Sequence, residues 1–170
     1  YAFKKQMNEW IASGSTYGLQ SQSERYAKLP VAVYTVVLDP KTQQLLLTRT
    51  QDTFTFNYKI YGMDSKFINH TIKTYENTND NLGILLSGVK GSGKTVTAKL
   101  IANRLKLPVL VVPTDYKAAL PNFINSIKQD IIVFIDEYEK IYAQDPGSLL
   151  TVMDGVLNNG FRRVFLLTTN

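Results

Sequence analysis

One short stretch of the sequence has the residue types and spacing needed to hold a phosphate chain. It reads Gly88-Val89-Lys90-Gly91-Ser92-Gly93-Lys94-Thr95, which fits the pattern G-x-x-x-x-G-K-S/T, and Val96 follows it. Glycines let the backbone wrap closely, so that several amide N–H groups converge on one anion beside the positive end of the following helix. Lys94 can then reach the β- and γ-phosphates, and the Thr95 hydroxyl is an oxygen ligand for Mg²⁺. A structural glycine-rich turn is the alternative, but the strand predicted before the motif and the helix predicted after it favour a nucleoside triphosphate site.

Two carboxylates follow an unbroken apolar run later in the chain. The run covers residues 131–135, and Asp136 and Glu137 come directly after it. Such a run is typical of a strand buried on both faces of a parallel sheet. We expect Asp136 on the metal side of a bound triphosphate and Glu137 as the catalytic base that orients the attacking water. Paired acids at a strand end are common on protein surfaces, but after a phosphate-binding motif they favour nucleotide hydrolysis.

A third polar residue ends another apolar strand. The stretch Phe165-Leu166-Leu167-Thr168-Thr169 is followed by Asn170. In an α/β sheet the carboxyl ends of the strands form the edge at which ligands bind, so we expect Asn170 beside Glu137. There it would position the water or sense the γ-phosphate, although an asparagine after a strand is otherwise most often a turn residue.

The elements that must position these residues alternate between strands and helices. From residue 83 onward, strands are predicted over 84–87, 109–112, 131–135 and 164–168, and helices over 94–105, 118–128 and 148–157. This alternation predicts a parallel sheet with helices on both faces. The fold class is therefore α/β, with three α/β/α layers.

The first 61 residues have a different composition. Short helices are predicted over 4–12 and 19–28, joined by a Ser/Gly linker at 13–17. From Pro30 onward, β-branched and aromatic residues predict two or three antiparallel strands, in the segments 31–38, 45–49 and 53–61. Asp64 is a suitable N-cap for a helix that runs to about residue 75. We therefore divide the chain into a small strand-rich module at 1–61, which we expect to handle substrate or partners, and a core domain at 62–170.

With these motifs in this order, the core domain resembles the AAA ATPases. Residues 88–95 are similar to the Walker A motif, 131–137 to the Walker B motif, and Asn170 to sensor 1 of that family. The segment 149–156 followed by 163–170 resembles the classical AAA subgroup, in which a helix ending in L-D-G precedes a strand ending in T-T-N or A-T-N. The short link between the Walker motifs is similar to that of the mitochondrial Rieske-protein translocase type.

The resemblance implies a fold, two ligands and an assembly. The fold would be the P-loop NTPase sheet of the AAA large subdomain, and the ligands would be ATP and Mg²⁺. The adenine would be held near Tyr61 and Gly62, in the turn before the helix capped by Asp64. Such ATPases form rings, commonly of six or seven subunits, that remodel or translocate a macromolecule. We expect a protein substrate ahead of a nucleic acid.

The sequence also departs from the family pattern. The arginine finger, the second sensor and the helical lid of the family lie beyond the sensor asparagine, where this sequence stops. Arg162 and Arg163 precede the last strand and do not match the finger position. The aromatic pore-loop signature of protein-threading relatives is missing from 113–119, where Tyr116 and Lys117 are only weak candidates.

Composition excludes several other classes of function. The chain of 170 residues has no cysteine, so it has no disulfide and no thiolate nucleophile. His70 is the single histidine, which argues against a zinc site and favours an ordinary surface residue. No apolar run approaches the roughly 20 residues of a spanning helix, and no secretory leader is visible. We therefore expect a cytoplasmic protein with no membrane segment in this chain.

Two alternatives to a protein-remodelling ATPase stay open on the sequence. The net charge of +5 permits a nucleic-acid partner. Phe54, Phe56, Tyr58 and Tyr61 beside Lys59 would then form a base-stacking platform, although a half-buried strand explains the same pattern and is favoured. The other alternative is an interaction module that binds ATP as a switch without turning it over.

Overall fold

Six strands form the sheet that carries the motif residues. The computed structural model describes residues 8–21, 25–113, 118–145, 147–148, 153–154 and 160–170. The strands are β1 (Asn8–Ser13), β2 (Thr16–Ser21), β3 (Val33–Leu38), β4 (Leu45–Gln51), β5 (Leu82–Ser87), β6 (Val109–Val111), β7 (Ile131–Ile135) and β8 (Arg163–Thr169), and the helices are α1 (Ser65–Asn77), α2 (Lys94–Leu105), α3 (Leu120–Ser126) and α4 (Glu139–Tyr142). The order in the large sheet is β4-β3-β6-β7-β8-β5, and β1 and β2 pair with each other.

The central strand β7 shows why helices cover both faces of this sheet. All five of its side chains are buried, and successive side chains on a strand point to opposite faces. Ile132 and Phe134 pack in the cluster that contains the apolar residues of α1 and α2. Ile131, Val133 and Ile135 pack in the cluster that contains those of α3 and α4. The predicted α/β/α class is therefore confirmed.

Elements with a strong periodic pattern agree with prediction. The helix predicted over 94–105 and the strand predicted over 131–135 have the predicted bounds. Helix α1 begins where expected, because the Asp64 carboxylate accepts a hydrogen bond from the Phe67 N–H at 3.0 Å. Helix α3 is shorter than predicted, since the backbone is already extended at Ile127. Most of the helix predicted over 148–157 lies outside the described residues, as do Tyr116 and Lys117.

The helix predictions in the N-terminal region are wrong. Within the described part of that region, β1 and β2 form an antiparallel hairpin instead of two helices joined by a linker. Gly14 lies in the tight turn with φ of 62°, a left-handed conformation that favours glycine. Cross-strand pairs of apolar and aromatic residues, such as Trp10 with Leu19, stabilise such a hairpin, and they have no counterpart in a helical pattern.

The strand predicted over 53–61 is also absent, for a reason that lies in α2. The Asn103 side chain accepts a hydrogen bond from the Phe54 N–H and donates one to the Phe54 carbonyl, both at 2.9 Å. It also accepts from the Thr53 hydroxyl at 2.7 Å. The Asn103 side chain thus pairs with the backbone N–H and carbonyl of Phe54, which in a strand would pair with a neighbouring strand.

The boundary predicted at residue 61 does not separate two sheets. Strand β3 pairs in parallel with β6, and β4 pairs antiparallel with β3 at the sheet edge. Residues 33–51 therefore extend the same sheet that carries the phosphate-binding motif. Strand order depends on pairing between distant segments, which the local pattern of β3 and β4 does not reveal. The expectation that residues 1–61 handle substrate or partners stays a prediction.

Two arginines at the start of β8, at the opposite end of this strand from Asn170, bind the ends of α1 and α3. Arg163 is buried and donates to the carbonyls of Ile124, Ile127 and Gln129 at 3.1, 2.5 and 2.7 Å, and burial lowers its pKa. Arg162 pairs with Asp130 and donates to two carbonyls at the end of α1, and its guanidinium lies 4.1 Å from the centre of the Tyr75 ring. Their contacts are internal, which agrees with leaving both outside the arginine-finger role.

We predict that Arg163→Met destabilises the fold by about 2–4 kcal/mol. The substitution leaves carbonyl acceptors at the end of α3 without their charged donor, and each buried unpaired group costs about 1–3 kcal/mol. Urea unfolding of the two proteins measures the difference. Arg104→Met is the matched control, because Arg104 is exposed and makes only a 3.2 Å contact with Asn69. Equal unfolding midpoints for both variants would contradict the assignment.

Candidate functional site

The loop between β5 and α2 is shaped by glycines. Gly93 is the residue before α2 and has φ of 87°, and no side chain caps the helix. The first amide N–H groups of α2 are thus left for an external partner. Gly88 has φ of 153°, and a Cβ at this position would lie 3.1 Å from the Ser92 hydroxyl. The loop therefore keeps the tight form that a phosphate chain requires.

Lys94 lies across this loop. Its ammonium donates to the carbonyls of Gly88 at 2.6 Å and Val89 at 2.8 Å. An ammonium has three donors, so these two contacts leave one for a ligand. Lys94 therefore holds the loop closed and places a positive charge beside the free amides.

The Thr95 hydroxyl meets the carboxylate of Asp136. The hydroxyl donates to Asp136 Oδ1 at 2.9 Å, which leaves its oxygen lone pairs for another ligand. Two adjacent hard oxygens fit Mg²⁺, which keeps several waters and takes its remaining ligands from substrate phosphates. No cluster of three or more carboxylate, histidine or cysteine ligands occurs in the part of the chain that the structure describes. The donor set thus fits a metal held together with a nucleotide.

Glu137 has polar partners on both carboxylate oxygens. Its Oε1 accepts from the Asn170 amide at 3.3 Å, and its Oε2 forms an ion pair with Lys140. The hydrogen bond from Lys140, and then that from Asn170, hold the pKa of Glu137 below its usual value. Glu137 also has φ of 52°, which is uncommon for a residue other than glycine. The structure thus places Asn170 beside Glu137, and the side chain is held ionised.

An open cleft of about 350 Å³ joins the loop to Glu137 and Asn170, and Asp136 is not among the residues that line it. Eight of its lining residues were predicted from the sequence, and Thr168 was not. The lining consists of Lys90, Gly91, Gly93, Lys94, Thr95, Val96, Glu137, Thr168 and Asn170. One cleft therefore brings the predicted phosphate-binding loop next to the predicted base.

A second cavity, of about 130 Å³, shares Gly93 and Val96 with the cleft. Residues 58–63 form one wall, and Thr97 and Leu100 of α2 contribute to the other. Tyr61 is 79% exposed there, with the Lys59 ammonium 5.3 Å from its ring centre. The cavity has an aromatic and apolar lining, which suits the planar ring of a ligand whose other end lies in the cleft.

The four aromatics considered for base stacking do not share one role. Phe54 is buried and meets the Phe134 ring edge-on at 5.9 Å, as expected for core packing. Phe56 is half-buried, while Tyr58 and Tyr61 are exposed at the second cavity. The segment is irregular, so they do not alternate on a strand. His70 is exposed, as predicted.

The chain is also similar in sequence to known proteins. The family model for the ATPase family associated with various cellular activities (AAA) matches residues 84–170. The chain belongs to the AAA family. It is also 35% identical over 74 residues to the Holliday junction branch migration complex subunit RuvB of Mycoplasma genitalium, a match that covers 42% of this chain and 24% of RuvB. The chain thus spans about a quarter of the length of that curated relative.

Membership confirms the resemblance stated from the sequence. The chain carries the P-loop core of an AAA ATPase. The residues predicted as its Walker A loop, Walker B acids and sensor 1 follow β5, β7 and β8, respectively. No helix in the described ranges is both long and apolar enough to cross a membrane.

Sequence analysis missed several residues that contact or support the AAA site, among them Thr168, Lys140 and Asn103. Thr168 lies two residues before Asn170, so the period of a strand places both on one face. Lys140 lies three residues after Glu137, a spacing that allows contact on one helical turn. These two could have been found from their spacing. Asn103 could not, because its partners at residues 53 and 54 are distant in sequence.

We predict that Lys140→Met raises the pKa of Glu137. Losing the cation removes the interaction that most favours the carboxylate, so the carboxyl takes up a proton at higher pH than in the wild type. NMR titration of the Glu137 carboxyl, without nucleotide or metal, measures the shift. Lys90→Met is the control, since Lys90 acts on Glu137 only by a weaker charge interaction. An unchanged Glu137 titration in Lys140→Met would refute the prediction.

Proposed function

We propose that the protein binds ATP with Mg²⁺ in the cleft and hydrolyses it to remodel or translocate a macromolecule. The observation that carries this proposal is the 2.9 Å contact between Thr95 of the Walker A motif and Asp136 of the Walker B motif. It joins the loop that would bind the phosphates to the turn that bears Glu137, the proposed catalytic base.

Each group in the cleft has a task in this proposal. The amides of the loop 88–93 and the Lys94 ammonium would neutralise phosphate charge, and Thr95 and Asp136 would hold Mg²⁺. Bound Mg²⁺ supplies further neutralisation of the β- and γ-phosphate oxygens. Glu137 would take a proton from the attacking water, while the Asn170 amide keeps that carboxylate oriented.

The second cavity would hold the adenine. It borders the loop at Gly93 and Val96, so a base placed there is continuous with phosphates in the cleft. Tyr61 offers an exposed ring for stacking, and Gly62, in the same wall, has φ of 65° and no Cβ to narrow the space. Tyr61 and Gly62 are thus proposed as adenine contacts.

Glu137→Gln tests the central step. We expect the variant to bind ATP as well as the wild type, because the amide keeps the size of the side chain. Hydrolysis should fall by about 10²–10⁴-fold, the usual contribution of a general base. Steady-state ATPase rates and equilibrium nucleotide binding measure the two effects in the full-length protein.

Lys94→Met provides the contrast, because it should weaken ATP binding itself. If Glu137→Gln and the wild type hydrolyse ATP at the same measurable rate, Glu137 is not the base. If the wild type and Glu137→Gln both bind ATP and neither of them hydrolyses it, the protein is a nucleotide-gated interaction module instead.

We propose a homo-oligomeric ring of six or seven subunits as the working assembly. Lys90 and Lys94 line the cleft, and no arginine does so among the residues that the structure describes. An arginine supplied by another subunit accelerates phosphoryl transfer by about 10³–10⁵-fold in related chemistry. A ring places the cleft of one subunit against its neighbour, which would complete the site.

A protein is our first proposal for the substrate. Its support is the likeness of segments 149–156 and 163–170 to the classical AAA pattern, and the likeness of the Walker motif spacing to the Rieske-protein translocase type. A nucleic acid is the second candidate, favoured by the match to the Holliday junction branch migration subunit RuvB and by the net charge of +5.

Salt-dependent binding separates these two substrates. If the protein acts on nucleic acid, the logarithm of the affinity for single-stranded DNA should fall linearly with the logarithm of salt concentration. The expected slope is about −0.7 for each phosphate neutralised. The measurement uses the full-length protein with ATP and, in parallel, a Holliday junction. Absence of binding to both at low salt would exclude the second candidate.

A further inference from the structure

Thr168, near the end of β8, contacts the turn after β7 at three points. Its side chain is buried, and its hydroxyl donates to Asp136 Oδ1 at 2.5 Å and accepts from the Glu137 N–H at 2.8 Å. Its carbonyl accepts from the Tyr138 N–H at 2.9 Å. The single proton of the hydroxyl is donated to the Asp136 carboxylate, and its oxygen accepts from the Glu137 amide. One hydroxyl therefore links the two acidic residues.

The turn that Thr168 contacts has an unfavourable backbone conformation. Glu137 has φ of 52°, in the left-handed region where a side chain is normally disfavoured. Such a conformation persists only where the surrounding structure determines it. The hydrogen bonds from the Glu137 and Tyr138 amides to Thr168 are that determinant. In this conformation the Glu137 carboxylate meets the Asn170 amide.

The same hydroxyl also orients Asp136. Asp136 Oδ1 accepts from Thr168 on β8 and from Thr95 on α2. Two donors on one oxygen restrict the rotation of the carboxylate and hold it between the start of α2 and the end of β8. Without Thr168, only the contact with Thr95 would restrict that oxygen.

We infer that Thr168 is a positioning residue that sets the orientation of Asp136 and Glu137 for ATP hydrolysis. The inference rests on the proposed function for the roles of those two acids. Thr168 itself needs no contact with the nucleotide, because its hydroxyl proton and one of its lone pairs are already used within the protein. Losing it should impair the chemical step more than nucleotide binding, which depends on the loop 88–93.

The experiment compares Thr168→Val with Thr168→Ser in the full-length protein. Valine keeps the shape but removes the hydroxyl, whereas serine keeps the hydroxyl. The readouts are kcat and KM for ATP with Mg²⁺, and amide hydrogen exchange at Glu137 without nucleotide. We expect valine to lower kcat by about 10–100-fold, typical for loss of a supporting contact. KM should change by less than about twofold, and the Glu137 amide should exchange faster. Serine should restore both readouts.

Thr71→Val is the matched control for a purely structural effect. Thr71 is also buried and donates to the Phe67 carbonyl at 2.9 Å. It lies in α1, however, and lines neither the cleft nor the second cavity. An equal loss of kcat in Thr71→Val would overturn the inference. So would a wild-type kcat in Thr168→Val, whether or not the Glu137 amide exchanges faster.

The design separates this inference from the proposed function. If the wild type and Glu137→Gln hydrolyse ATP equally, the proposed base is wrong. The exchange of the Glu137 amide still decides whether Thr168 holds the turn. Unchanged exchange in Thr168→Val, together with an inactive Glu137→Gln, would overturn the inference and leave the proposed function standing.

Discussion

The site depends on the parallel pairing of β7, β8 and β5, in which β8 lies in the middle and β5 forms the edge of the sheet. Because β8 lies between the other two, residues that follow it stand between the loop after β5 and the acids after β7. The pairing of β7 with β8 is stabilised by burial on both faces, and each fully buried aliphatic or aromatic side chain contributes about 1.5–3 kcal/mol. Five such side chains in β7 alone outweigh the roughly 1–3 kcal/mol that a left-handed residue such as Glu137 costs.

The two ends of the strands are built differently. At the start of β8, arginine side chains satisfy the carbonyls that end α1 and α3, and Asn81 accepts from the Arg163 N–H at 2.8 Å. At the other end, glycines with positive φ and the uncapped first amides of α2 remain. Groups that are left unsatisfied are the ones that a ligand can engage. The polar network at the closed end therefore supports stability, whereas the open end is available for the proposed ligand.

The site could be predicted further from sequence than the fold around it. The loop, the acid pair and the asparagine each follow a strand, and a parallel sheet brings such residues to one edge whatever the strand order. The place of β3 beside β6 could not be predicted, because pairing between distant strands leaves no local pattern. The irregular segment after β4 was missed for a similar reason, since Asn103 replaces the partner that a strand would need.

In the proposed binding mode, helix α2 would link recognition of the phosphates to recognition of the base. Lys94 and Thr95, at its start, line the cleft. Val96 and Leu100 line the second cavity. Near its end, Asn103 binds Phe54, which lies in the segment that leads to the wall of this cavity. A helix interior has fixed geometry, so the distance between these three contact regions is constant. In the proposed binding mode, the triphosphate and the adenine would therefore have to fit one rigid spacing. A nucleotide whose base and phosphates do not match that spacing would satisfy only one of the two cavities.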